Sequence, residues 1–105
     1  MFIYDTKDLL ERRRGLRVSR HALREVYKEG LRGRDIVYAI FKGQVIERYP
    51  DRDRVLIQGP AEKSGLPLHI VCDYTDAKVI VAVTAYIPNR SEWAADAVRR
   101  CNNTK

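Results

Sequence analysis

Hydrophobic residues follow a helical rhythm through the first forty positions and an extended rhythm after that. Residues 5–14 predict a first helix, capped by Asp5 or Thr6, striped by Leu9 and Leu10, and ended by Gly15. Leu16, Arg17 and Val18 form a short extended piece. A second helix is expected over 20–29, with Ser19 as N-cap and Ala22, Leu23, Val26 and Tyr27 on one broad face. A third is expected over 33–42, where Ile36, Val37, Ile40 and Phe41 recur at helical spacing and Gly43 stands at the end.

Strands then follow at 45–49, 54–58, 66–74 and 78–87, separated by a Pro50–Asp53 turn, a polar loop at 59–65 and a hairpin turn at 75–77. Ser91 is placed to cap a last helix over 92–100. The order predicts one domain, residues 1–105, of the α+β class: N-terminal helices on one face of a four-stranded, mainly antiparallel sheet, then a C-terminal helix.

Strand alternation sorts side chains between faces. Leu66, Leu68, Ile70 and Cys72 share one face of their strand; Pro67, His69, Val71 and Asp73 share the other. In the next strand Val79, Val81, Val83 and Ala85 are expected to face the helices, leaving Ile80, Ala82, Thr84 and Tyr86 on the far side. A hairpin loop of two or four residues would bring His69 to the face of Thr84 and Tyr86, and four would set it opposite Thr84. A three-residue loop would set it opposite Val83 instead.

Charge changes this picture. Net charge is +6, and all of it resides in residues 7–34, where ten Lys and Arg stand against four Asp and Glu. Eight of those ten are Arg, whose planar fork grips a phosphate with two bonds. A basic third on a nearly neutral body suits a polyanion partner, with a solvated helix face as the plainer reading. The two cysteines form no disulfide framework, and no four-ligand zinc spacing is present. The sequence has no leader pattern, no apolar run long enough for a membrane, no phosphate loop and no carboxylate cluster for a divalent metal. A cytoplasmic protein without metal or cofactor is expected.

Two polar groupings remain. His21 and Arg24 lie three apart near a helix start. His69, Thr84 and Tyr86 share a sheet face if the register allows. A histidine, an arginine and a tyrosine supply a base, a phosphate clamp and an acid for metal-free phosphodiester cleavage. Glu47 is the strand carboxylate nearest to such a role, and its plainer reading is a solvated residue.

The segments Ser19-Arg20-His21-Ala22-x-x-Glu25, Gly43-x-Val45-Ile46-Glu47-x-Tyr49-Pro50, Pro67-Leu68-His69-Ile70-Val71 and Thr84-x-Tyr86-x-Pro88, with Trp93 beyond, resemble the domain of unknown function 4258 family. That family usually offers a Ser or Thr cap before the third helix, where this chain has Leu31-Arg32-Gly33-Arg34-Asp35. The family is in turn similar to the RelE/ParE and BrnT toxins. The resemblance implies a RelE-like fold and the toxin of a toxin–antitoxin pair, acting on mRNA as a metal-independent endoribonuclease. It also implies a small antitoxin with a zinc-finger or helix-turn-helix domain. His21, Arg24, His69, Thr84 and Tyr86 would form the catalytic site, and Arg12, Arg13, Arg14, Arg17 and Arg20 would track the RNA. The rival expectation is a non-catalytic module that binds nucleic acid or protein through the basic third.

Overall fold

The computed structural model describes residues 2–11 and 13–88. In chain order these form α1 (Thr6–Leu10), β1 (Gly15–Val18), α2 (Arg20–Tyr27), α3 (Gly33–Lys42), β2 (Gln44–Tyr49), a single 3-10 turn (Pro50–Arg52), β3 (Arg54–Pro60), β4 (Pro67–Asp73) and β5 (Val79–Tyr86). The sheet runs β1-β5-β4-β3-β2.

The α+β class is as expected, but the sheet is not the four-stranded, mainly antiparallel one the pattern predicts. It has five strands and is mixed, because the extended piece at 15–18 joins it as an edge strand parallel to β5, pairing from Gly15↔Val79 to Val18↔Ala82. Four residues are too few for alternation to declare a strand, so only pairing reveals this one. The described residues contain three short helices. The helix expected over 92–100 lies outside them.

α1 ends four residues early, at Leu10, because Glu11 already turns extended. Arg13 and Arg14 therefore belong to the connection into β1 rather than to a helix. Arg13 donates from its guanidinium to the Ala77 carbonyl at 2.8 Å, and the Arg14 amide donates to the Lys78 carbonyl.

α2 begins where the sequence places it. The Ser19 hydroxyl accepts from the Ala22 amide at 3.0 Å and donates to the Val83 carbonyl at 2.9 Å, so one side chain caps the helix and ties it to β5. Gly30, at a φ of 76°, closes the turn that follows. α3 starts without a side-chain cap at Arg32; instead Asp35 reaches back and accepts from the Arg32 amide at 2.8 Å.

Both long helices pack on one face of the sheet. Ala22 and Val26 of α2 and Ile36, Ala39 and Ile40 of α3 meet Val55, Ile57, Leu68, Ile70, Cys72, Ile80, Ala82 and Ala85 in a single buried cluster. Gly59 and Gly43 let α3 come this close, since a Cβ at Gly59 would drive into the carbonyl of Ala39 and one at Gly43 into the carbonyl of Gln58. The expected facing of β5 needs correction in its first half. Ile80 and Ala82 are buried against the helices, whereas Val79 and Val81 point the other way. The cause is a bulge: Val71 pairs with Thr84 but Cys72 pairs with Ala82, leaving Val83 as the extra residue. The bulge inverts the alternation, so Thr84 and Tyr86 still lie on the face away from the helices.

Candidate nucleic-acid interface

The two polar groupings occupy different faces of the sheet. β4 alternates Leu68 and Ile70 into the helix-side core, which turns His69 to the opposite face. There His69 pairs with Gln58 of β3 and with Tyr86 of β5. Its Nε2 lies 2.9 Å from Gln58 Oε1, and its Nδ1 lies 3.3 Å from the Tyr86 hydroxyl. Because the amide oxygen only accepts, Nε2–H donates to it, and in the neutral ring Nδ1 then accepts from the tyrosine hydroxyl. The His69 and Tyr86 rings meet edge-on, with centroids 5.4 Å apart at 64°. His69 is 0% exposed.

Neither of the pairings considered for His69, with Thr84 or with Val83, is formed. The bulge at Val83 shifts the register, so Tyr86 stands opposite His69 and Thr84 stands opposite Val71. Thr84 is half-buried on the same face. Gln58 completes the cross-strand row, and the sequence reading missed it. Its signal was weak: one amide at the end of an otherwise apolar strand, meaningful only once the β3–β4 register is known.

His21 and Arg24 are both exposed on α2, whose inward residues Ala22 and Val26 pack toward β5 on the helix side. The sheet thus separates them from His69 and Tyr86. The fold therefore does not bring His21 and Arg24 together with His69, Thr84 and Tyr86 around one phosphate.

Exposed cations flank His21 along the chain. Arg14 lies just before β1, Arg17 on β1, and Arg20 and Arg24 on α2; all four are exposed, as is His21. β1 is an edge strand and leads directly into α2 through Ser19, so these residues lie along one edge of the sheet, with Arg17 turned to the face away from the helices by its pairing with Val81. Among the described residues the ion pairs are Lys28–Glu25 and Arg54–Asp73, and neither involves this edge. Arg13 is half-buried and engaged with Ala77, which makes it a strut rather than a free contact. Arg12 lies outside the described residues.

Other reactive groups serve the fold. Burial pushes the Cys72 thiol up to about 12, which removes it as a nucleophile at neutral pH. Asp73 is partly desolvated, which raises its carboxyl, but hydrogen bonds from Thr75 and the Arg54 guanidinium at 2.9 Å outweigh this and hold it below the ordinary carboxylate value. Among the described residues no three His, Cys, Asp or Glu side chains gather as a metal site requires, and no helix is long and apolar enough to cross a membrane.

The chain belongs to the family described as Domain of unknown function (DUF4258), whose model matches residues 18–87. The match runs from the end of β1 through β5 and so takes in both the α2 edge and the His69 row. No curated protein and no solved structure matches the chain.

Proposed function

We propose that this protein is an RNA-binding module that holds the phosphate backbone along the β1–α2 edge. One observation carries the reading: Arg14, Arg17, Arg20 and Arg24 stand exposed within eleven residues, with no carboxylate paired to them among the described residues. Arginines without partners keep their full capacity for bidentate phosphate contacts. His21 lies in the same stretch, and its ring N–H is a further donor.

Fluorescence anisotropy with a labelled single-stranded RNA tests this. Binding weakens as salt rises, and replacing Arg17, Arg20 and Arg24 by Ala lowers the slope of log K against log salt by about 2, at roughly 0.7 per phosphate contact. An unchanged slope in that variant overturns the reading.

The exposed imidazole of His21, one turn from Arg24, favours a second reading, in which the protein is the toxin of a toxin–antitoxin pair. A likeness to the RelE/ParE and BrnT toxins belongs to this reading, as do a cytoplasmic mRNA target and a small antitoxin. Here His21 removes the proton from a ribose 2′-hydroxyl, whose oxygen attacks the adjacent phosphorus. The 5′-oxygen leaves and takes a proton from solvent, giving a 2′,3′-cyclic phosphate. Arg24 holds the phosphate oxygens. His69 and Tyr86 support the sheet in this version and take no part in the chemistry. A cleavage assay separates the readings: turnover that falls about a hundredfold in His21→Ala marks the enzyme. Binding without turnover marks the module.

A further inference from the structure

A second cationic feature lies at the corner between α2 and α3, apart from the β1–α2 edge. A recess of about 250 Å³ opens there, lined by Arg32, Arg34, Asp35, Lys63 and Ser64. One water needs roughly 10–15 Å³ of such space, so a phosphate group with ordered waters fits. The cations come from two segments far apart in sequence, the start of α3 (Arg32 at its N-cap, Arg34 in its first turn) and the β3–β4 loop. Among the described residues none of the three has an ion-pair partner.

The only carboxylate in the lining is already committed. Asp35 is 7% exposed; one oxygen accepts from the Arg32 amide at 2.8 Å and the other from the Glu62 amide at 2.9 Å. Those two bonds strap the β3–β4 loop to the start of α3 and so fix Lys63 and Ser64 relative to Arg32 and Arg34. Arg32 is held a second time, with its guanidinium 5.6 Å from the centre of the Tyr27 ring. The attraction does not rest on the first turn of α3, where the Asp35 carboxylate already faces the positive helix end. The lining carries three cations against one carboxylate.

We propose that this recess binds a single phosphate group, held by Arg32, Arg34 and Lys63 with the Ser64 hydroxyl as a further donor. Two cationic side chains from different segments confer what a flat basic patch lacks, a defined position for the anion. The site stands whether or not the β1–α2 edge binds RNA.

The test is an amide-resolved NMR titration with inorganic phosphate, with chloride at matched ionic strength as control. Shifts should concentrate at residues 30–35 and 62–65, and the Arg34→Ala/Lys63→Ala double variant should weaken binding by about tenfold or more. Both side chains are exposed, and an unchanged melting temperature shows that the variant is folded. Shifts spread evenly over every arginine-bearing segment, or undiminished in the double variant, overturn the proposal. An Arg17→Ala/Arg20→Ala/Arg24→Ala variant keeps the recess response, so failure of the RNA reading is told apart from failure of this one. Oligoribonucleotides with and without a 5′-phosphate identify the source. A preference for the phosphorylated end, lost in the double variant, marks a terminal phosphate. Equal weakening of both marks the backbone, and weakening of neither marks free phosphate.

Discussion

This chain has two histidines, and the fold gives them opposite environments. His69 is buried in a cross-strand row with Gln58 and Tyr86, both ring nitrogens engaged. His21 is exposed on α2 among arginines without carboxylate partners. The same side chain is enclosed and hydrogen-bonded in one place and open to solvent in the other. A buried polar group is costly unless satisfied, and once satisfied it fixes the register of the strands that hold it. An exposed one contributes little to stability and is free to meet a partner. In the proposed function the exposed arginines of α2 and of the β1 edge meet the partner, while His69, Gln58 and Tyr86 hold the strands together.

The largest effect that this contrast predicts is on stability. His69→Ala leaves a void and strips partners from Gln58 and Tyr86, and should cost about 2–4 kcal/mol in urea unfolding. His21→Ala should change stability by less than about 0.5 kcal/mol. Equal effects would dissolve the distinction. Next comes binding. Arg17→Ala/Arg20→Ala/Arg24→Ala should lose on the order of a hundredfold in RNA affinity at low salt, with the melting temperature unchanged. Gln58→Leu comes third. It removes the acceptor for His69 Nε2–H and should cost about 1–2 kcal/mol in urea unfolding with the m-value unchanged.

The smallest effect concerns acid. Asp73 is depressed in the folded protein, so its contribution to stability is present above the unfolded carboxylate pKa and is lost as pH falls through the lower, folded one. Asp73→Asn should flatten the acid limb of the stability profile below about pH 4 and leave neutral-pH RNA binding untouched. Asp73 shares a cross-strand row with Arg17 through Val81, so a variant that altered binding instead would show the two coupled along that row.

The comparison also shows what the sequence could reveal. α2 and α3 were legible because Ser19, Gly30 and Gly43 punctuate a clear helical period, and both helices start where those signals place them. The missing Ser or Thr cap on α3 was legible as well, though not its replacement by Asp35. β1 was visible as an extended piece but not as a sheet member, since its partner is distant in sequence and parallel. The bulge at Val83 was hidden in an unbroken apolar run from Val79 to Val83, where no polar residue marks the inside from the outside. The basic edge was legible in composition, because exposed charge needs no register to be recognised. The His69 cluster was legible only in part: Tyr86 was named as a neighbour on the right face, while Gln58 and the true pairing awaited the strand register.

The most direct test of the account is RNA binding by His69→Gln beside Arg17→Ala/Arg20→Ala/Arg24→Ala, each measured across a salt series on protein confirmed folded by circular dichroism. The account predicts that the arginine variant loses both affinity and salt slope while the His69 variant binds like the parent chain. A folded His69 variant that no longer binds RNA, with the arginine variant still binding at full strength, would contradict it.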